Sequence, residues 1–450
     1  MLEIFEFFKT IDWKPILVFF NSVWQILKVW WWVPAFLILI KPFLYLWLWW
    51  RREIWLNTVY KPVILEIKIP KEVLKPIRAM ENVMAAIHGV VYHPPDWWEK
   101  WIDGQLQTGI SFEIVSIGGE IHFFLRFHQD YRDGIEAAIY SQYPEAEISP
   151  VDDYTKYVPL DIPNKDWDLW ATDYRLARAN PYPIKTYPKF ETEQEREPEK
   201  IIDPVANLLE ALSKIKPGEQ FWIQIRATPL GSAAEPGLSQ GTVADFLKEG
   251  EAIRNKIAKR KIVKPKSIIQ EAAQILITGK PTLPPPEEEL FPPVRMRLTP
   301  GEEELLRGVE TKITKPAFRC GIRFIYLGKR DVFFRANFRL GFNFFNCYTT
   351  ANLNALFPWG ATLTKIRKSW FLPLNLLRSR RLYLRSRKIF RAYRERVNTL
   401  YPRTAADKGF FILNTEELAS LFHFPSWQVA PLPGVPRVEA KKGPPPSLPL

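Results

Sequence analysis

The residues with the most chemistry to offer lie between Lys365 and Arg396. There Arg378, Arg380, Arg381, Arg385, Arg387, Lys388, Arg391 and Arg394 follow one another with only Glu395 opposing them, interleaved with Tyr383, Phe390 and Tyr393. Guanidinium groups hold phosphates through paired hydrogen bonds and rings stack on bases, so the pattern suits a nucleic acid. Anionic lipid headgroups need only the charge. A basic helix face turned to water is the third reading, and the sequence does not separate the three.

No catalytic constellation accompanies this run. The nearest approaches to a phosphate-binding loop, Gly321 to Lys329 and Gly279-Lys280, lack the four-residue spacing and the Ser or Thr that would reach magnesium. His122 and His128 share one face of a strand, but six residues at ~3.3 Å each set them about 20 Å apart, too far to share a metal. His88 and His93 flank a helix end, and His423, within LFHFPSW, reads as a packing histidine. Glu302, Glu303 and Glu304 belong to a helix start, where the dipole accounts for them. Cys320 and Cys347 are too few for a disulfide framework or a sulfur-bound metal. The expectation is a non-enzymatic chain with no catalytic residues, cofactor or metal.

The elements that must position the basic run start from a different kind of segment. Val29 to Trp50 is long and apolar, with Trp30, Trp31 and Trp32 at one end and Trp47, Trp49 and Trp50 at the other. About 20 helical residues at ~1.5 Å rise separate these groups by roughly 30 Å, the thickness of a bilayer core, so the six tryptophans are expected at the membrane interfaces of one transmembrane helix. Trp13 to Lys28 fits an interfacial helix, two passes remaining the alternative. Lys41 would lie near the bilayer centre beside the kinking Pro42. Arg51, Arg52, Lys61 and Lys68 after the span, against Lys9, Lys14 and Lys28 before it, place the C-terminal portion in the cytoplasm. The net charge of +13 favours an anionic partner, and 40 Pro against 21 Gly point to stiff connections between folded units.

The expected fold class is α+β: the membrane anchor (1–52), then two ferredoxin-like, split βαβ plaits, and a Pro-rich tail. In the first plait (53–153), Val63, Leu65, Ile67 and Ile69 alternate as a strand, and Ile77, Met80, Met84 and Ile87 recur at helical spacing. A Gly118-Gly119 hairpin sets Phe112 opposite Leu125, Ile114 opposite Phe123 and Ile110 opposite Phe127, leaving Ser111, Glu113, His122 and Arg126 on the other face. A second helix before Pro144 and a strand around Ala146 to Ile148 complete βαββαβ. Residues 154–200 read as an extended linker over the surface. The second α/β domain (201–360) starts at Asp203-Pro204, places Phe221, Ile223 and Ile225 inward on a strand, and carries a projecting helical insertion (242–278) and a Pro-rich linker (279–293). Thr299-Pro300-Gly301-Glu302 is a capping box, and Cys320, Ile322, Phe324 and Tyr326 alternate with Arg319, Gly321 and Arg323 on the strand that follows. Residues 361–428 hold the basic helical segment and a closing motif, and 429–450 the Pro-rich tail.

Five phrases carry a family resemblance: AIYSQYPEAEI (138–148), YPIKTYPKFE (182–191), PGEQFWIQIRATP (217–229), TANLNALFP (350–358) and FILNTEELASLFHFPSW (411–427). They resemble an uncharacterised membrane-anchored module of candidate-phyla bacteria that precedes a P-loop ATPase similar to type IV secretion and conjugation coupling proteins. The resemblance covers about Arg52 to Leu450, and in that family the Pro-rich run leads into the ATPase domain. It implies a non-catalytic platform at the cell membrane for a P-loop ATPase, here expected as a separate chain. Nucleic acid, anionic lipid and a second copy of the chain are the other partner classes. The alternative function is an envelope scaffold or lipid-binding protein acting without a motor.

Overall fold

In a computed structural model the chain divides into two compact units, Met1–Val59 with Pro95–Leu106, and Tyr60–Pro94 with Gln107–Leu450. The structure describes residues 32–69, 75–190, 203–231, 242–258, 298–368, 375–396 and 409–425, with scattered positions between 18 and 30. Trp31, most of the expected interfacial helix, the insertion beyond 258, the linker 279–293 and the tail 429–450 lie outside the described residues.

The first unit is built on α1 (Trp32–Thr58), which holds Pro42 and runs on past Trp50. Phe36, Ile38, Leu39, Phe43 and Leu46 are exposed along it. Among the described residues no helix is long and apolar enough to cross a membrane. The described residues therefore give the transmembrane element of the expected fold no support.

The second unit begins with β1 (Pro62–Lys68), α2 (Ile77–Val91), β2 (Ile110–Ile117), β3 (Glu120–His128), α3 (Arg132–Gln142) and β4 (Glu147–Pro150). Its strands lie in the order β4-β1-β3-β2 with antiparallel neighbours. The hairpin turn uses Gly118 and Gly119 at φ +59° and +99°, a conformation glycine adopts without steric cost. Its register sets Phe112 against Leu125 and Ile114 against Phe123. Those side chains and Leu65 and Ile67 pack on Met80, Val83, Met84 and Ile87 of α2 and Ile135 and Ile139 of α3. Each such buried side chain contributes about 1.5–3 kcal/mol.

The sheet does not end at β2. β5 (Trp167–Leu176), α4 (Ala206–Ser213), β6 (Glu219–Pro229), α5 (Val243–Ile257), α6 (Pro300–Thr314), β7 (Ala317–Lys329), α7 (Arg339–Asn346) and β8 (Leu356–Pro358) follow, with strand order β6-β7-β5-β8. Counted within its own half, each set of four runs 2-3-1-4 outward from a shared centre. There the two second strands, β2 and β6, pair antiparallel from Ile110↔Ala227 to Ile117↔Gln220. The repeated order and the antiparallel pairing of equivalent strands relate the halves by a local two-fold, as in an isologous contact. The two expected α/β domains thus share one sheet, because β2 and β6 would otherwise expose unpaired backbone edges.

Two further differences concern the second half. Residues 154–190, expected as a surface linker, contain β5, whose Asp168, Asp173 and Arg175 obscure the strand signal. Asp173 faces Arg323 across the β5–β7 ladder. The start of the insertion does not project: α5, opened by a Thr242–Asp245 capping box, buries Phe246 and brings Gly250 against Ile313 of α6.

The helices α2, α3, α4 and α7 share one continuous core on the inner sheet face. β9 (Phe411–Asn414) pairs with the start of β7, and α9 (Thr415–Leu421) adds Leu418, Ala419 and Leu421 to that core. The outer face is covered at Phe124, Val115, Trp222 and Ile325 by Tyr154, Val158 and Ile162 and by α8 (Arg378–Glu395).

Candidate functional site

The basic run forms α8, an 18-residue helix whose buried positions Ser386, Ile389, Phe390 and Tyr393 follow the helical period. Phe390 stacks on Trp222 with ring centroids 6.3 Å apart, and Tyr393 approaches the same indole at 5.2 Å. This seating sorts the sequence-predicted contact residues. Arg378 Nε donates to Ile366 O at 2.9 Å and Arg385 Nη1 to Leu363 O at 2.8 Å, so both tie the helix to the preceding loop. Arg394 is half-buried. Arg380, Arg381, Arg387, Lys388 and Arg391 are exposed on one stripe, and ~1.5 Å per residue spreads them over about 16 Å. Arg391 pairs with Glu395 at 2.6 Å and Arg387 donates to Tyr383 Oη at 2.8 Å.

Arg396 ends the helix in the left-handed region, φ +47°, and turns inward. Glu113 of β2 receives Arg396 Nε at 2.6 Å, Ser111 Oγ at 2.7 Å, Tyr154 Oη at 2.7 Å and Gln224 Nε2 at 3.0 Å. Asp153 accepts from the other side of the guanidinium, at 3.1 Å from Nη2. Burial opposes the charge on Arg396, but Glu113 and Asp153 outweigh it and hold the group above its usual range. The phenols of Tyr154 and Tyr393, 2.6 Å apart, are pushed far up by burial first and then by Glu113. The sequence reading put Ser111, Glu113 and Arg126 on a face away from the core, whereas Ser111 and Glu113 are fully buried under α8.

Beside this cluster, Arg226, Arg319 and Arg323 project from β6 and β7 on the same outer face, all buried. Arg323 Nε donates to Asp173 Oδ1 at 2.9 Å. Arg226 lies over Gly321, where a Cβ would come within 2.6 Å of its Nη2, and its guanidinium carbon is 5.0 Å from the Phe410 ring centre. Burial and then Arg323 push Arg226 down to about 9. Sequence alternation identified the face of these arginines but not their burial.

A cleft of about 360 Å³ opens between α6, the 183–189 segment and the start of α9. Lys312 and Glu417 lie at its floor, 3.0 Å apart and both fully buried. Glu417 also accepts from Ile184 N at 2.9 Å and Asn414 N at 3.0 Å, the latter within a capping box. Burial lowers Lys312 and raises Glu417, and each partner offsets part of the other's shift. The pair joins α6 to α9 and fastens both to the 182–184 segment, since Lys312 Nζ also donates to Tyr182 O, an arrangement suited to holding elements together.

Three histidines are likewise engaged. His122 Nδ1 is 2.6 Å from Glu66 Oε1, and His88 Nε2 is 3.2 Å from Ala317 O. His423 is buried between Ala419 O at 2.9 Å and Asp203 Oδ1 at 2.8 Å. Among the described residues no three His, Cys, Asp or Glu side chains are grouped to hold a metal. The aromatic residues proposed at the membrane interface fall at both ends of the apolar run: Trp30 and Trp32 rings are 5.9 Å apart, and Trp47 and Trp50 rings 5.5 Å. Trp49 is half-buried.

Comparison with protein-family models, curated protein sequences and solved structures finds no match to this chain.

Proposed function

We propose that this chain is a non-catalytic, membrane-associated platform for a cytoplasmic P-loop ATPase of a type IV secretion- or conjugation-like translocation system. Each half of its sheet is read as a ferredoxin-like plait, and the C-terminal portion as cytoplasmic. The observation that carries the proposal is the exposed stripe Arg380, Arg381, Arg387, Lys388 and Arg391 on a helix fastened to the sheet by Phe390, Tyr393 and Arg396. The helix presents these cations together along about 16 Å, a stretch over which they would neutralise phosphates of a nucleic acid. The exposed apolar side chains of α1 support attachment to a membrane, which would remove them from water.

The test is DNA affinity as a function of salt, using the full chain in lipid nanodiscs. The wild type is expected to bind with a linear log–log salt dependence. Replacing Arg380, Arg381, Arg387 and Lys388 by Gln is expected to flatten the slope by about 0.7–0.9 per lost contact. Equal slopes for the two proteins would remove the nucleic-acid reading.

Exposed Leu376, Leu377 and Leu384 beside the same cations favour a second reading, contact with an anionic lipid surface. Binding to anionic vesicles with no affinity for DNA at low salt would select it.

A further inference from the structure

Trp97 and Trp98 stand far along the chain from the tryptophans of α1, yet residues 95–106 belong to the same compact unit as that helix. Trp47 Nε1 donates to Trp101 O at 2.8 Å across 54 positions, and Arg51 Nε, one turn further on, donates to Ile102 O. Gly104 completes the docking. Its φ of +78° is one a side chain rarely adopts, and a Cβ there would sit 2.4 Å from the Arg51 carbonyl carbon, so only glycine lets the backbones approach. The turn Glu99–Asp103 is thereby held against the stretch of α1 where the apolar run gives way to Arg51, Arg52 and Glu53.

At this level Trp97 and Trp98 are 67% and 61% exposed, with ring centroids 6.5 Å apart, and Trp50 is 51% exposed. Leu46 and Phe43, on the neighbouring turns of α1, are exposed as well. Three indoles turned outward at one end of an exposed apolar helix leave a large apolar area in water. An indole has an apolar body and one N–H donor, which suits the boundary between acyl chains and headgroups.

We infer that Trp97 and Trp98 join Trp47 and Trp50 in one aromatic belt that seats residues 95–106 in the headgroup region of a phospholipid bilayer. The inference rests on the membrane attachment proposed above. Its added content is that the belt comes from two chain segments clamped together, so that the depth and rotation of α1 in the lipid are set by the 95–106 segment as well as by the helix.

Depth-dependent quenching tests this on the full chain. A Cys347→Ser background, in which the remaining Cys320 is buried, would carry an NBD fluorophore at Trp98→Cys, at Trp97→Cys or at Leu39→Cys. Each protein is mixed with phosphatidylcholine/phosphatidylglycerol vesicles containing a nitroxide at the headgroup or deep in the acyl chain. Labels at 97 and 98 are expected to lose fluorescence to the headgroup nitroxide more than to the deep one. Quenching at position 39 with none at 97 and 98 would overturn this inference and leave membrane attachment standing. No quenching at any of the three would overturn both. Stronger quenching of 97 and 98 by the deep probe would overturn the headgroup placement. The two neighbouring label sites report independently should one variant fold poorly.

Discussion

Glu113 on β2 and Arg396 at the end of α8 lie 283 positions apart and meet at 2.6 Å with both side chains fully buried. The contact sits where the two halves of the sheet join, since Glu113 faces Gln224 across the β2–β6 ladder. Through it the basic helix is registered on the centre of the sheet. Arg396→Met would leave Glu113 buried without its cation, a change that costs about 3–5 kcal/mol when one partner of a buried pair is removed. Urea unfolding of the full chain should show that loss, and Glu113→Gln combined with Arg396→Met should recover part of it. An Arg396→Met protein as stable as wild type would mean that the pair does not secure α8.

The hairpin register places Leu125 opposite Phe112 in the inner core and Arg126 on the outer face. Leu125→Ala should destabilise by about 2–5 kcal/mol, more than Arg126→Ala. The comparison belongs in the full chain, because a fragment ending near Asp152 would open the β2 edge that β6 closes. Equal losses from the two substitutions would contradict the register.

Lys312→Met isolates Glu417 at the floor of the cleft, where burial already raises its carboxyl above 4.5. A raised carboxyl favours the fold while protonated, so relative to wild type the variant should be least destabilised below pH about 4.5 and more so as pH rises through the folded-state value. Thermal melts between pH 4 and 8 check this. The wild type, with its cation in place, should decline less, and parallel curves would rule the account out.

Asp203 behaves in the opposite sense. Burial opposes its charge, but His423 and the Val205 and Ala206 amides outweigh that and hold it below 3.8. Its contribution is complete above pH about 3.8 and is lost as pH falls through the folded-state value. The stability difference between wild type and Asp203→Asn should therefore shrink as pH falls below about 3.8. A difference that grows in acid would reverse the assignment.

The proposed orientation rests on the positive charge after the apolar run. A cysteine introduced at the exposed Glu251 should resist impermeant maleimide added to intact cells and react once they are opened. Labelling from outside would reverse the topology.

The sequence alone determined the local elements whose causes are local. The Gly118-Gly119 turn, the alternation of Phe221, Ile223 and Ile225, and the Thr299–Glu302 capping box each fix an element through backbone freedom, side-chain period or end satisfaction, and each stands where it was read. It also located the cations of α8, because a run of like charge is legible from composition alone. Tertiary structure decided whatever depends on residues hundreds of positions apart. Trp167–Leu176 became a strand because Asp173 finds Arg323 on β7, and Glu113 became a core residue because Arg396 and Tyr154 satisfy it. The two halves became one sheet because β2 and β6 present matching open edges. A polar residue's burial depends on the partner that meets it, and no period along the chain encodes that partner.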